Sequence, residues 1–120
     1  QVAGSVGGVV VGTGNKVEDY GVGFYTKYGD GGVDIAPIAD LYKSEVWELG
    51  EYLGVDERIC DAPPTDGLWD DGRKDEDQIG ASYAELEEAM ENGTGPAVEI
   101  LQKFNEKNKH KMLPIPTFKL

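Results

Sequence analysis

Apolar positions fall in two short runs near the amino end and then recur at helical spacing toward the carboxyl end. Val9–Val11 is a β-branched run closed by Gly12-Thr13-Gly14, a pattern that predicts a buried strand of parallel type followed by a ligand-facing loop. VDIAPI over Val33–Ile38 predicts a second strand, which Pro37 ends early or confines to an edge. Between them, Lys16–Tyr25 predicts a short helix weakened by Gly21 and Gly23, and YGDGG over Tyr28–Gly32 predicts a turn-rich loop. Asp40 suits the N-cap of a helix from about Leu41 to Leu53, with Val46, Leu49 and Leu53 on one face and Gly54 as its stop. Asp56–Cys60 adds a further turn of helix.

Ser82-Tyr83-Ala84-Glu85 fits the capping box S-x-x-E, and the helix after it buries Tyr83, Leu86 and Met90 and stops near Gly93. Pro96 suits the first turn of a last helix carrying Val98, Leu101 and Phe104 on one side. The tail from Asn105 to Leu120 is lysine-rich and ends in LPIPTF, which reads as extended chain. Residues Gln1–Gly7 carry no clear pattern, and no internal repeat is visible.

The exception to this periodicity is Asp61–Gly80, rich in Pro, Gly and Asp with DDGRKDED at its centre. Loops of that length are either functional lids or disordered, and the acidic run alone reads as a solvated surface. Leu68 and Trp69 are harder to leave in solvent, because large apolar groups in a loop pack on something. Strand, loop, strand and then helices is an α/β order. Two strands make a poor sheet, so the chain of 120 residues reads as the second half of a larger domain.

Charge narrows the partners. The formal net charge is -12, and no basic stripe is present, which argues against polynucleotide binding. A small phosphorylated ligand stays open, because a few lysines and a divalent cation reverse the field inside one cleft. No apolar run reaches the length of a membrane span, and no signal-peptide pattern opens the chain. Cys60 is the one cysteine, suited to a small, partly buried hydrophobe. Together these favour a cytoplasmic setting.

The segment Gly12–Lys43 packs glycines, lysines, acids and hydroxyls between the two apolar runs, as half of a nucleotide site would. GTGNKVED, FYTKYGDGGVD, PIADLYKSEV and APPTDGLWD, in that order, resemble ammonia-dependent NAD synthetase from about Gly8 to Phe118. YGDGG followed by an Asp favours the ammonia-using branch over the glutamine-dependent one.

The resemblance implies an α/β fold, a doubly wound parallel sheet of the adenine-nucleotide alpha-hydrolase-like (ATP pyrophosphatase) type, present here in its second half. Residues 1–120 would then be the C-terminal part of a single synthetase domain, with 61–80 as its lid. It also implies a homodimer and a two-step ligase reaction. ATP adenylates the nicotinate carboxylate of deamido-NAD, and ammonia then displaces AMP to give NAD. Mg2+ serves the phosphates, and ATP is a co-substrate.

Residue by residue, Thr13, Lys43 and Thr65 match ATP contacts. Lys27, Asp34, His110 and Lys111 match deamido-NAD contacts, and Glu18 matches the magnesium ligand. The residue types suit these roles. A hydroxyl can hydrogen-bond a nucleotide, an ammonium group can pair with phosphate, and carboxylate oxygen can bind a hard cation. Outside such a motif, Glu18 would be a solvated helix residue, Thr13 a strand-end turn residue and His110 a surface histidine. Asp30 fits a turn-forming role in YGDGG.

The family's SGGxDS loop, which binds the pyrophosphate of ATP, is absent from these residues, and Gly4-Ser5-Val6-Gly7-Gly8 is no substitute because it lacks the acid. These residues alone are therefore expected to be inactive. Two other functions compete: a different amide-forming ATP pyrophosphatase of related fold, and a non-catalytic nucleotide-binding or dimerisation module.

Overall fold

The computed structural model describes residues 1–119. Six α-helices follow one another along it: α1 (Val2–Val6), α2 (Lys43–Tyr52), α3 (Glu57–Cys60), α4 (Asp75–Ile79), α5 (Tyr83–Asn92) and α6 (Val98–Met112). A single π-helix, Val17–Val22, lies between α1 and α2.

The π-helix is the hub. It packs on α5 and α6, which also pack on each other. Val17, Val22, Tyr83, Leu86 and Ala89 are buried at this junction, with Ile79, Ala81 and Ala97 closing its edge. Phe24, Met90, Leu101 and Phe104 pack around them, so the predicted apolar faces of α5 and α6 meet as expected. Ser82 caps α5 as its sequence predicts: its hydroxyl accepts from the Glu85 N–H at 3.3 Å, and Glu85 accepts from the Ser82 N–H at 2.9 Å.

The glycines that weaken a helix on propensity are what permit this packing. A Cβ on Gly21 would lie 2.7 Å from Met90 Sδ. Gly23 ends the π-helix with φ 64, and its N–H donates to the Glu18 carbonyl. A Cβ there would lie 2.5 Å from Asn108 Cβ on α6. Asn108 is itself buried and donates from Nδ2 to the Val22 carbonyl at 2.8 Å.

The parallel sheet does not form among the described residues. Among the described residues the β pairing is one parallel bridge, Val11 to Ile35. The Gly12 N–H donates to the Ile35 carbonyl at 2.7 Å, and the Asp34 N–H donates to the Val10 carbonyl at 2.9 Å. The two predicted strands thus pair in the predicted sense, but Val9, Val10 and Val11 stay 62%, 42% and 52% exposed rather than buried. A parallel strand is buried by neighbours at its edges and helices on its faces, and nothing in these residues supplies them. The same holds for α2 and its C-cap, where Leu49 and Leu53 respectively remain exposed.

Other boundaries shift. The predicted helix Leu41–Leu53 begins at Lys43, and Asp40 is not its cap but pairs with Lys16 at 3.6 Å. Glu45 accepts from the Tyr42 N–H at 2.7 Å instead. Gln1–Gly7 holds the short α1. The 61–80 segment contains α4, and α6 continues through the lysine-rich stretch to Met112 before the extended LPIPTF. Pro96 lies in the turn before α6 rather than in its first turn. No described helix is long and apolar enough to cross a membrane.

Gly23→Ala is expected to cost about 2 kcal/mol or more, combining left-handed backbone strain with overpacking against Asn108. Gly54→Ala, where φ is 74 but a Cβ meets open space, serves as the reference and should cost only the strain. Urea unfolding of both variants measures the difference.

Candidate functional site

The ends of four helices converge on one carboxylate. Glu18 is the second residue of the π-helix, Lys43 the first of α2, Asp75 the first of α4 and Tyr83 the first of α5. Asn15 sets the start of the π-helix: it is buried, and its Oδ1 accepts from the N–H groups of Val17 at 3.0 Å and Glu18 at 3.1 Å. That fixes the backbone from which the Glu18 side chain projects.

Glu18 Oε1 accepts from Lys43 Nζ at 3.2 Å and from the Tyr83 hydroxyl at 2.8 Å, while Oε2 accepts from the Asn15 N–H at 3.3 Å. Lys43 also lies over the Tyr83 ring, 5.2 Å from its centroid, and Trp47 packs edge-on against that ring. Side chains of Lys43 and Glu18 are 19% and 17% exposed, so their attraction is screened far less than that of a surface pair. Asp75 completes the group. Its Oδ2 lies 3.4 Å from the Tyr83 hydroxyl, and its buried Oδ1 has no hydrogen-bond partner.

This environment disfavours negative charge beyond what Glu18 carries. Burial, then the Glu18 charge, raises the Asp75 carboxyl above its ordinary range, with Lys43 opposing. The same two causes raise the Tyr83 phenol, so it stays a donor at neutral pH. Asp19, next to Glu18, is pushed up to about 6 by burial first and by Glu18 and Asp30 second. Gly14 leaves the space that the Asp19 carboxylate occupies; a Cβ there would collide with it.

A hard divalent cation suits this donor set. Glu18 offers carboxylate oxygen in a partly closed setting, and the orphaned Asp75 oxygen is a second such donor. Among the described residues no cluster of three or more His, Cys, Asp or Glu could hold a metal ion unaided.

Two cavities share a wall beside this cluster. One of about 270 Å³ is lined by Thr13, Glu18, Asp19, Tyr25 and Lys111 among others. The second, about 390 Å³, is lined by Tyr25, Lys27, Tyr28, Asp34 and Lys111 among others. The structure therefore brings Thr13 and Glu18 to one space and Lys27 and Asp34 to the adjoining one, with Lys111 and Tyr25 on both.

Several of these groups also hold the walls together. Lys27 Nζ donates to the carbonyls of His110 and Leu113 at 2.8 and 2.7 Å, closing the C-terminal end of α6. Lys111 Nζ returns the contact, donating to the Gly23 carbonyl at 2.8 Å, and lies 5.5 Å from the Tyr25 ring centroid. Burial lowers the pKa of Lys111. Asp34 Oδ2 accepts from the Val10 N–H at 2.8 Å. Asp30 takes the turn-forming role expected of it, accepting from the Thr26 N–H at 2.7 Å.

Two residues stand apart. Thr65 Oγ1 donates to the Arg73 carbonyl at 3.1 Å and accepts from the Gly67 N–H at 3.2 Å, folding its own loop. His110 is exposed, with Nδ1 3.2 Å from the Lys107 carbonyl. Neither lines the two cavities.

Sequence reasoning did not single out Asn15, Asp75 or Tyr83 as site residues. Tyr83 is legible as a buried helix position, and only its hydroxyl makes it part of the site. Asp75 has a local signal within the acidic run. Asp75, Glu76 and Asp77 followed by Ile79 and Gly80 are an acidic first turn and a glycine stop, the marks of a short helix.

The NAD synthase family model matches residues 1–116. An NH(3)-dependent NAD(+) synthetase from Archaeoglobus fulgidus is 54% identical over 88 residues, covering 73% of this chain and 35% of that protein. One from Carboxydothermus hydrogenoformans is 42% identical over 105 residues, covering 86% and 42%. Among solved structures, an NMN synthetase from Francisella tularensis superposes with a TM-score of 0.92 at 36% identity, over 99% of this chain and 50% of that one. An NH3-dependent NAD synthetase from Campylobacter jejuni gives 0.72 at 26%, over 98% and 48%. The chain spans about half the length, or less, of these relatives.

Asp19 sets a pH dependence. Its folded-state pKa, about 6, lies above the ordinary 3.8, so the folded chain holds a proton that the unfolded chain has released. Its contribution is fully present below pH 3.8 and is lost as pH rises through about 6. Asp19→Asn should therefore raise Tm at pH 7.5 and match the parent near pH 4, in thermal melts followed by circular dichroism.

Proposed function

Because the chain belongs to the NAD synthase family, we propose that residues 1–120 are the C-terminal part of a single synthetase domain that amidates deamido-NAD with ammonia, driven by ATP cleavage. The observation that carries this is the meeting of Glu18 and Lys43. The motifs match one to the cation and the other to the ATP phosphates, and they lie 25 residues apart in sequence and 3.2 Å apart in space.

A carboxylate is a poor acyl donor. The nicotinate carboxylate oxygen attacks the α-phosphorus of ATP, and pyrophosphate leaves. Ammonia then adds to the acyl-adenylate carbonyl, a proton is lost, and AMP departs to leave the amide. Lys43 meets the charge that builds on the phosphates, helped by its place in the first turn of α2. Thr13 hydrogen-bonds the nucleotide, and Thr65 brings the 61–80 lid to it. Lys27, Asp34, Lys111 and His110 hold deamido-NAD. Mg2+ at Glu18 supplies charge neutralisation of the polyphosphate when bound.

The SGGxDS loop must come from outside these residues, which accords with a chain spanning half of its relatives. The exposed Val9–Val11 run and the α2 face suit burial against the remainder of such a domain or in a homodimer. The setting we propose is cytoplasmic. The resemblance to an NMN synthetase supports one variant, in which the acceptor is the deamidated mononucleotide instead of the dinucleotide.

The test is turnover by the full-length parent with ATP, Mg2+, ammonium and either deamido-NAD or deamidated NMN. NAD formed in preference to NMN is the expected result, and Lys43→Met should lower kcat/KM by roughly 100-fold or more. No amide from either acceptor sinks the proposal, and a strong preference for the mononucleotide replaces it with the variant.

A further inference from the structure

We propose that Asp75 is a second carboxylate ligand of the cation that Glu18 serves, contributed by the 61–80 segment. The inference rests on the assignment of Glu18 above and adds a ligand that the motif match does not give.

Burying a carboxylate without partners is costly, and structures seldom leave one so. Asp75 is 7% exposed, and its Oδ1 has no hydrogen-bond partner. The backbone holds it there, since its N–H donates to the Pro64 carbonyl at 3.0 Å. Tyr83 ties it to Glu18: the hydroxyl donates to Glu18 Oε1 at 2.8 Å and lies 3.4 Å from Asp75 Oδ2. Lys43 is the cation facing Glu18, pairing with the same Oε1.

Two carboxylates joined through one phenol and facing a single ammonium form an acid-rich cluster that a hard cation would balance. The neighbours of Asp75 on α4 have partners: Glu76 Oε1 accepts from the Tyr83 N–H at 2.8 Å and Asp77 Oδ2 from the Lys74 N–H at 3.1 Å. Asp75 is the one left with a buried, unpartnered oxygen. A purely structural acid at this position would be expected to have both oxygens satisfied by donors within its own fold.

Terbium luminescence tests this directly. Tb3+ substitutes for hard divalent cations, and Tyr83 lies where it can sensitise emission. In the full-length parent, saturable emission displaced by Mg2+ is expected. Asp75→Asn and Glu18→Gln should each weaken Tb3+ binding about tenfold or more. Asp70→Asn, in the exposed part of the same loop, should leave it unchanged.

If Glu18→Gln weakens binding while Asp75→Asn does not, the assignment of Asp75 fails and that of Glu18 stands. If Glu18→Gln has no effect, or the full-length parent binds no Tb3+, both fail. Should Asp75→Asn not fold by circular dichroism, Asp75→Glu takes its place, with Asp77→Glu as its control. A changed Tb3+ affinity for Asp75→Glu alone supports the ligand role, and an unchanged affinity in a folded Asp75→Glu overturns it.

Discussion

The Glu18 carboxylate is the constraint around which the rest of this chain is arranged. It accepts from three donors drawn from three places: the Asn15 backbone, the Lys43 ammonium at the start of α2 and the Tyr83 hydroxyl at the start of α5. Hydrogen bonds to a charged group contribute about 1.5–3 kcal/mol each, and removing one partner from a half-buried ion costs more than the bond. The Lys16–Asp40 pair is the contrast, at 3.6 Å with Asp40 fully exposed, where such a pair is worth about 0–1 kcal/mol. The first arrangement fixes three helix starts relative to one another. The second fixes little.

The π-helix makes that arrangement possible by being short on side chains where its neighbours come close. Gly21 admits Met90, and Gly23 turns the chain left-handed beneath Asn108. With α5 and α6 drawn in this way, Tyr83 reaches Glu18 and Lys111 reaches the Gly23 carbonyl. Helix propensity and site geometry pull in opposite directions along Val17–Val22, and packing decides. A wider π turn in place of regular α geometry is the local trace of that competition, of a kind frequent at functional sites.

Local chemistry made much of this legible in the sequence. The Ser82–Glu85 capping box, the Gly54 and Gly93 stops and the Asp30 turn depend on residues within a few positions of one another, and all appear as expected. The sheet was not legible in the same sense. Val9–Val11 and Val33–Ile38 have strand composition, but a ladder depends on partners far along a chain, and the described residues contribute one bridge. Asp40 shows the limit of composition at a helix start: Glu45 reaches the Tyr42 N–H, which moves the start to Lys43 and frees Asp40 for Lys16. The meeting of Glu18 with Lys43 follows from the motifs only as a shared ligand. Asp75 and Tyr83 join them through tertiary packing, which periodicity does not encode.

The lysines beside the two cavities build the walls and leave donors unspent. An ammonium has three N–H donors. Lys27 commits two to the carbonyls of His110 and Leu113, and Lys111 commits one to Gly23. Each lysine therefore holds α6 against the loop that follows the π-helix and still has a donor left for an anion in the adjoining space. The carbonyls they engage lie at helix ends, where oxygen lone pairs lack internal partners and a positive charge is favoured by the helix dipole. An anion placed there would meet ammonium groups already held in position, at a smaller cost in side-chain entropy than at a free surface lysine. In a chain whose net charge is -12, such anchored positive charge locally offsets the overall field around the two cavities.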